Sequence, residues 1–207
     1  MDNQFEIPDI VVGRLPLYLR ALQQMSQKGQ TVTSSKELGE RLGISAAQIR
    51  KDLSQFGEFG KQGTGYQIEF LIKQLRVILK VDRVWPIAVV GAGDVGRALA
   101  RYQGFSNRGF RIAVVFDSDP AKIGQVIGDF TVQDITHLAE VIQENQIKVA
   151  MLTVPASVAQ HITDELVKAE IQAILNYAPV NIIVPAGIQV QHIDPSIHLQ
   201  RMAYYLK

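Results

Sequence analysis

Apolar positions change their spacing along the chain. Leu17, Leu19, Leu22 and Met25 recur at helix-like intervals, with Pro16 where a helix begins and Gly29 where one ends. Ser34-Ser35-Lys36-Glu37 reads as a capping box ahead of Leu38 and Leu42, and Gly43 breaks the run. Two residues later Ser45-Ala46-Ala47-Gln48 is a second box, followed by Ile49, Leu53 and Phe56 at i, i+4 and i+7. Two helices joined at Gly43-Ile44 within about 20 residues have the spacing of a helix-turn-helix. Residues 59–66 then form a glycine-rich hairpin tipped by Lys61, and residues 68–79 return to helical periodicity.

From residue 86 the pattern becomes short, wholly apolar runs separated by helical stretches. Strands are expected at 86–90, 112–116, 149–154 and 173–177. Helices are expected through Val95, Leu99 and Tyr102, and over about 135–144 and 157–170. Such alternation predicts a doubly wound α/β domain with a largely parallel sheet. At the end, Asp194 can cap a helix whose first residue is Pro195. Leu199, Met202, Ala203 and Leu206 make an apolar stripe on it, beside Tyr204 and Tyr205. That stripe must be buried against its own domain or against a second subunit. The chain is therefore read as three parts: 1–84, 85–190 and 191–207.

Composition narrows the class. With 47% hydrophobic and 20% charged residues the chain can build packed cores. No apolar run reaches the ~20 residues of a membrane span, and the polar, acidic start is unlike a secretion signal. Cysteine is absent, which excludes disulfides and Cys-based metal sites. No metal is expected, and the cytoplasm is the default location. The net charge of +1 conceals an asymmetry: residues 1–84 carry 12 Lys+Arg against 9 Asp+Glu, and the remainder 9 against 11. The first part thus leans towards an anionic partner.

On the second helix of the helix-turn-helix, Gln48, Arg50, Lys51 and Ser54 lie off the apolar stripe and Ser45 stands at its start. A recognition helix needs this division, with donors free to reach base edges and phosphates. The hairpin after it reads as a wing whose Lys61 meets a phosphate or the minor groove. A plain dimerisation module is the alternative for the same residues.

Gly91-Ala92-Gly93-Asp94-Val95-Gly96 follows one apolar strand, and Asp117 closes the next, 21 residues beyond Gly96. This is the dinucleotide-binding fingerprint in its full context. The first glycine serves the tight turn, the second the approach to the pyrophosphate, and the third helix packing. The phosphates would meet the helix N-terminus, and the Asp117 carboxylate the adenosine ribose. A carboxylate there repels a 2′-phosphate, favouring NAD over NADP. No Tyr is followed four residues later by Lys, and His137, His161, His192 and His198 fall in helical patterns or the tail. Binding without turnover is expected. The rival readings are an NAD-dependent oxidoreductase and a regulator sensing a CoA thioester.

The motifs VGRLPLYLR (12–20), SAAQIRKDL (45–53), FGEFGKQGTGY (56–66), the fingerprint with Asp117, KIG (122–124), TVPA (153–156) and YYL (204–206) resemble the Rex family of redox-sensing transcriptional repressors over nearly the whole length. The resemblance implies a homodimer with winged-helix heads, central Rossmann domains and C-terminal helices exchanged between subunits. It implies a repressor that holds an inverted-repeat operator in double-stranded DNA while NADH is scarce and releases it when NADH binds. It adds Lys122, Thr153, Val154 and Pro155 to the NADH/NAD+ site. It assigns Tyr102, Asp194, Tyr204 and Tyr205 to the dimer and its switch. Gln55, Tyr177, Pro195 and His198 depart from the family pattern and bear on operator contact and on NADH coupling.

Overall fold

The computed structural model describes residues 7–61 and 64–206, except for the Lys61 side chain. It divides into two compact units, Met1–Arg83 and Val84–Lys207. The tail from residue 191 is not a unit of its own.

In the first unit a short turn of helix, α1 (Asp9–Val12), leads into α2 (Leu15–Gln27), where Pro16 occupies an early position that needs no amide donor. The buried face of α2 is Leu15, Tyr18, Leu22 and Met25. Leu17, expected on that face, is exposed, because the stripe runs through Leu15, Tyr18, Leu22 and Met25 and Leu17 lies about 100° around the helix from Tyr18. After strand β1 (Val32–Thr33) come α3 (Ser35–Leu42) and α4 (Ala46–Ser54). Gly43 between them adopts a left-handed conformation, φ 67°, that ends α3 sharply. Strands β2 (Gly60–Lys61) and β3 (Gly65–Gln67) form the wing, and β3 also pairs with β1. Lys61 is the last residue of β2, opposite Gly65, rather than the hairpin tip. Helix α5 (Ile68–Ile78) closes the core by packing Ile68, Leu71 and Leu75 against α2.

Both expected capping boxes are half-formed. The Ser34 and Ser45 hydroxyls accept from the amides of Glu37 and Gln48 at 3.1 and 3.2 Å. The reciprocal side chains turn elsewhere: Glu37 takes bonds from Gln30 and Thr33, and Gln48 donates to Asp52. Side-chain partners outcompete the local backbone amide, Gln30 and Thr33 ahead of α3 for Glu37 and Asp52 one turn further along α4 for Gln48.

The second unit is one twisted sheet. Its strands are β4 (Trp85–Val90), β5 (Phe110–Asp117), β6 (Val126–Ile127), β7 (Phe130–Asp134), β8 (Val149–Leu152), β9 (Ala173–Asn176) and β10 (Gln189–His192), in spatial order β10-β9-β8-β4-β5-β7-β6. All pair in parallel except β6, which runs antiparallel to β7. Helices α6 (Asp94–Arg101), α7 (Leu138–Glu144) and α8 (Ala156–Lys168) cover the two faces. Alternate β4 residues serve separate cores: Ala88 and Val90 lie on the α7–α8 side, Ile87 and Val89 on the side of Ala100 from α6. The expected strand 149–154 stops at Leu152, where Thr153 and Val154 turn into α8. The expected helix 135–144 opens with a 3-10 turn over Ile135–His137. Helix α9 (Pro195–Ala203) ends the chain, with the Asp194 carboxylate accepting from the Ser196 amide at 2.8 Å.

Candidate dinucleotide and nucleic-acid sites

Chain order reverses in the sheet between β4 and β8, and there the strand carboxyl ends open a crevice. Gly91 sits at that point with φ +105°, and a Cβ on it would lie 2.7 Å from the Thr153 carbonyl oxygen. The Thr153 hydroxyl contacts the Val90 and Gly91 carbonyl oxygens at 2.9 and 2.8 Å, clasping β8 to the turn. A Cβ on Gly96 would collide with the Gly91 carbonyl oxygen. A Cβ on Gly93 would meet nothing within 4 Å. Two glycines therefore serve protein packing, and the middle one keeps open a surface that a ligand can approach.

Asp117, only 7% exposed, ends β5 beside this turn. Its carboxylate accepts from the Ala92 amide at 2.7 Å, the Asp119 amide at 2.9 Å and Lys122 Nζ at 3.2 Å. Burial alone would raise its pKa; the amides of Asp119 and Ala92 and the Lys122 ammonium outweigh it and hold the carboxyl below its ordinary range. Lys122 also lies 3.8 Å from Asp119. One cation among two carboxylates leaves the locality anionic, unfavourable to a 2′-phosphate. Arg97 Nε donates to the Ala92 carbonyl oxygen at 3.1 Å, so the Ala92 residue is held at both its N–H and its C=O.

The remaining predicted residues do not all gather at the turn. Asp94 is exposed in the first turn of α6. Val95 is 48% exposed and Tyr102 49%, because α6 buries Gly96 and Ala100 rather than the stripe expected from sequence. Val154 is half-buried and Pro155 exposed at the start of α8. Tyr102 packs edge-on against Phe105, with ring centroids 4.9 Å apart. It lines a cleft of about 370 Å³ with Arg101, Arg111 and Phe130, at the opposite end of β5 from Asp117. The crevice at Gly91 is thus a separate feature. On α9 Leu199 and Met202, and just beyond it Tyr204, Tyr205 and Leu206, are all exposed in the single chain, and Asp194 is half-buried.

In the first unit α4 presents its polar side as expected. Lys51 is exposed, and Arg50 is exposed while donating to the Ser35 hydroxyl at 2.9 Å, which ties α4 to α3. The Ser54 hydroxyl donates back to the Lys51 carbonyl at 2.9 Å. The Lys61 side chain lies outside the described residues.

Sequence reasoning missed Asp52. It shares the inward face of α4 with Ile49 and Leu53, and its side chain is 0% exposed. Arg14 grips it from Nε and Nη2 at 2.6 and 2.7 Å, Tyr18 donates at 2.6 Å and Gln48 Nε2 at 2.7 Å. Burial opposes the charge, but these donors hold the Asp52 carboxyl below its usual range. Burial, then the bond to Asp52, pushes the Tyr18 phenol up. The signal was the position of Asp52, three residues after Ile49 on a face otherwise apolar.

A winged helix-turn-helix and a Rossmann unit carrying an intact glycine turn and strand-end acid define a DNA-binding regulator with a dinucleotide-type fold. Comparisons with known proteins agree. Residues 6–54 match the family described as "Putative DNA-binding protein N-terminus" and residues 82–180 that described as "CoA binding domain". The redox-sensing transcriptional repressor Rex of Chloroflexus aurantiacus is 54% identical over 96% of this chain and 94% of its own length. That of Roseiflexus sp. is 52% identical over 100% of this chain and 94% of its own. A crystal structure of RSP with β-NAD+ and operator DNA superposes with a TM-score of 0.92 at 36% identity, covering 96% of this chain and 92% of RSP. RSP with β-NADH gives 0.88 at 34% identity, over 96% and 93%. The chain belongs to the Rex family of redox-sensing transcriptional repressors.

Proposed function

We propose that this chain is a homodimeric repressor of the bacterial cytoplasm that binds an inverted-repeat operator when NADH is low and leaves it when NADH binds. One observation carries the reading: the chain superposes over 96% of its length on a repressor solved with NAD+ and operator DNA, and again on the same repressor with NADH. In this reading Gly91, Ala92, Gly93, Asp94, Val95 and Gly96 face the pyrophosphate. Asp117, with Lys122 beside it, meets the adenosine ribose, and Thr153, Val154 and Pro155 line the crevice beyond. Ser45, Gln48, Arg50, Lys51, Ser54 and Lys61 face the duplex. Tyr102, Asp194, Tyr204 and Tyr205 serve the dimer and its switch. The matched domain description names coenzyme A, but the carboxylate of Asp117 beside Ala92 is the partner that ribose hydroxyls require, and it favours NAD(H).

The reduced nicotinamide is neutral and the oxidised ring cationic, and a dry pocket favours the neutral ring because an unpaired buried charge is costly. NADH then stabilises the dimer arrangement whose recognition helices do not match the half-sites. Linkage requires operator DNA to weaken NADH binding by the same factor. The test is a titration of labelled inverted-repeat DNA with NADH and NAD+ in parallel. NADH raises the operator dissociation constant tenfold or more, a coupling of only ~1.4 kcal/mol, and NAD+ does not. Equal effects of the two forms would refute redox sensing.

A further inference from the structure

The buried Asp52 carboxylate ties α4 to Arg14 and Tyr18. An ionised carboxylate accepts only, and its two oxygens offer about four acceptor sites. All are used: two by Arg14, one by Tyr18, one by Gln48. The Gln48 amide must therefore turn its nitrogen to Asp52 Oδ1, since the flipped amide would set oxygen against oxygen. That leaves Oε1 directed away from the buried carboxylate. Gln48 is half-buried and third in α4, in the first turn, where a helix-turn-helix brings side chains to base edges.

We propose that Asp52 is a positioning residue for sequence readout, fixing the Gln48 amide so that it presents an acceptor to the exocyclic amine of an adenine or cytosine in the major groove. Adenine N6 and cytosine N4 are donors there, whereas guanine and thymine offer only acceptors on that edge. This rests on the operator-binding reading above. It adds which base chemistry Gln48 selects and why. Arg14 and Tyr18 belong to α2 and its start, so the carboxylate that sets the base-reading amide is itself held by residues 38 and 34 positions away in sequence.

The test uses the full chain without NADH and an operator selected from random duplexes. Amino groups are then deleted one at a time, with purine replacing adenine or pyrimidin-2-one replacing cytosine. The native chain loses about tenfold in affinity at one symmetry-related position per half-site. Gln48→Ala binds intact and amine-deleted operators within twofold of each other at that position, and keeps its sensitivity elsewhere. Asp52→Asn, which lets the amide flip, loses the preference for adenine or cytosine over guanine or thymine at that position alone. Should Asp52→Asn fail to fold with Arg14 unpaired, the Gln48→Ala comparison decides. An operator whose every amine matters equally to the native chain and to Gln48→Ala overturns the proposal while sparing the repressor reading. Failure to select any duplex overturns the repressor reading itself.

Discussion

The Asp117 carboxylate accepts a 2.7 Å hydrogen bond from the Ala92 amide, joining the end of β5 to the glycine turn after β4. The residue assigned to the ribose is thus also a strut of the phosphate loop. Its folded pKa is depressed, as is that of Asp52 in the other unit. A depressed carboxylate contributes stability that is complete above its unfolded value, ~3.9, and is lost as pH falls through the folded value. Both units are therefore expected to keep their stability from neutrality down to about pH 5 and to lose it below ~4. Urea unfolding followed against pH checks this. Asp117→Asn should flatten the acid limb of the Rossmann unit only. A variant as acid-sensitive as the native chain there would remove Asp117 as the cause.

Gly93 and Gly96 share a motif and differ in role, and their alanine variants separate the roles. Gly93→Ala places its methyl in open space at φ −76°, a conformation any residue adopts. The variant is expected to keep its thermal midpoint within ~2 °C while NADH affinity falls at least tenfold, ~1.4 kcal/mol. Gly96→Ala drives a methyl into the Gly91 carbonyl oxygen, backbone that cannot swing aside. It should destabilise the Rossmann unit by about 3 kcal/mol or more. Calorimetry and NADH titration of the two variants together give the result. Equal loss of stability in both would show that Gly93 is also a packing residue.

The contrast also shows which features were legible in the sequence. Local rules read well: the glycine turn, the Asp194 cap and the strand-helix alternation come from neighbours within a few residues. Strand β10 escaped because Gln189-Val190-Gln191-His192 has one apolar residue; an edge strand held by backbone pairing to β9 needs no apolar run. The hairpin β6–β7 escaped because its apolar residues, Val126, Ile127, Phe130 and Val132, never make an uninterrupted run longer than two. The inward position of Asp52 was there to read, but not the partners that make its burial tolerable, since Arg14 and Tyr18 lie 38 and 34 residues away. Helical periodicity reports which side faces inward, not which distant charge makes a carboxylate tolerable there. On α6 the apolar stripe misled: small Gly96 and Ala100 allow close packing, leaving Val95 and Tyr102 outside.

Lys51 is exposed and its side-chain ammonium makes no hydrogen bond or ion pair among the described residues, so its charge is available to a phosphate. Each phosphate neutralised by a cation adds about 0.9 to the slope of log affinity against log salt. Lys51→Ala is expected to weaken operator binding and lower that slope by roughly one unit. NADH affinity of the free protein should stay unchanged, since Lys51 lies in a different unit from the glycine turn. Binding isotherms from low to moderate salt measure the slope. A weakened affinity with an unaltered slope would place Lys51 on a base edge instead.

The last helix supplies the strongest test of assembly. Leu199 and Met202 are 62% and 63% exposed in the single chain, at the three-residue spacing that puts both on one side of α9. Burying such a side chain contributes about 1.5–3 kcal/mol, and a symmetric dimer would bury each of them twice. Replacing both with glutamate should therefore raise the dimer dissociation constant at least 100-fold, about 2.7 kcal/mol. The fold of either unit should be unaffected, because neither residue belongs to a core. Sedimentation equilibrium gives the association state, and the thermal midpoint at high concentration reports folding. If operator binding requires two linked heads, affinity for the inverted repeat should fall much further than affinity for a single half-site. A double variant that stays dimeric and binds the inverted repeat as the native chain does would show that the stripe on α9 is not what joins the subunits.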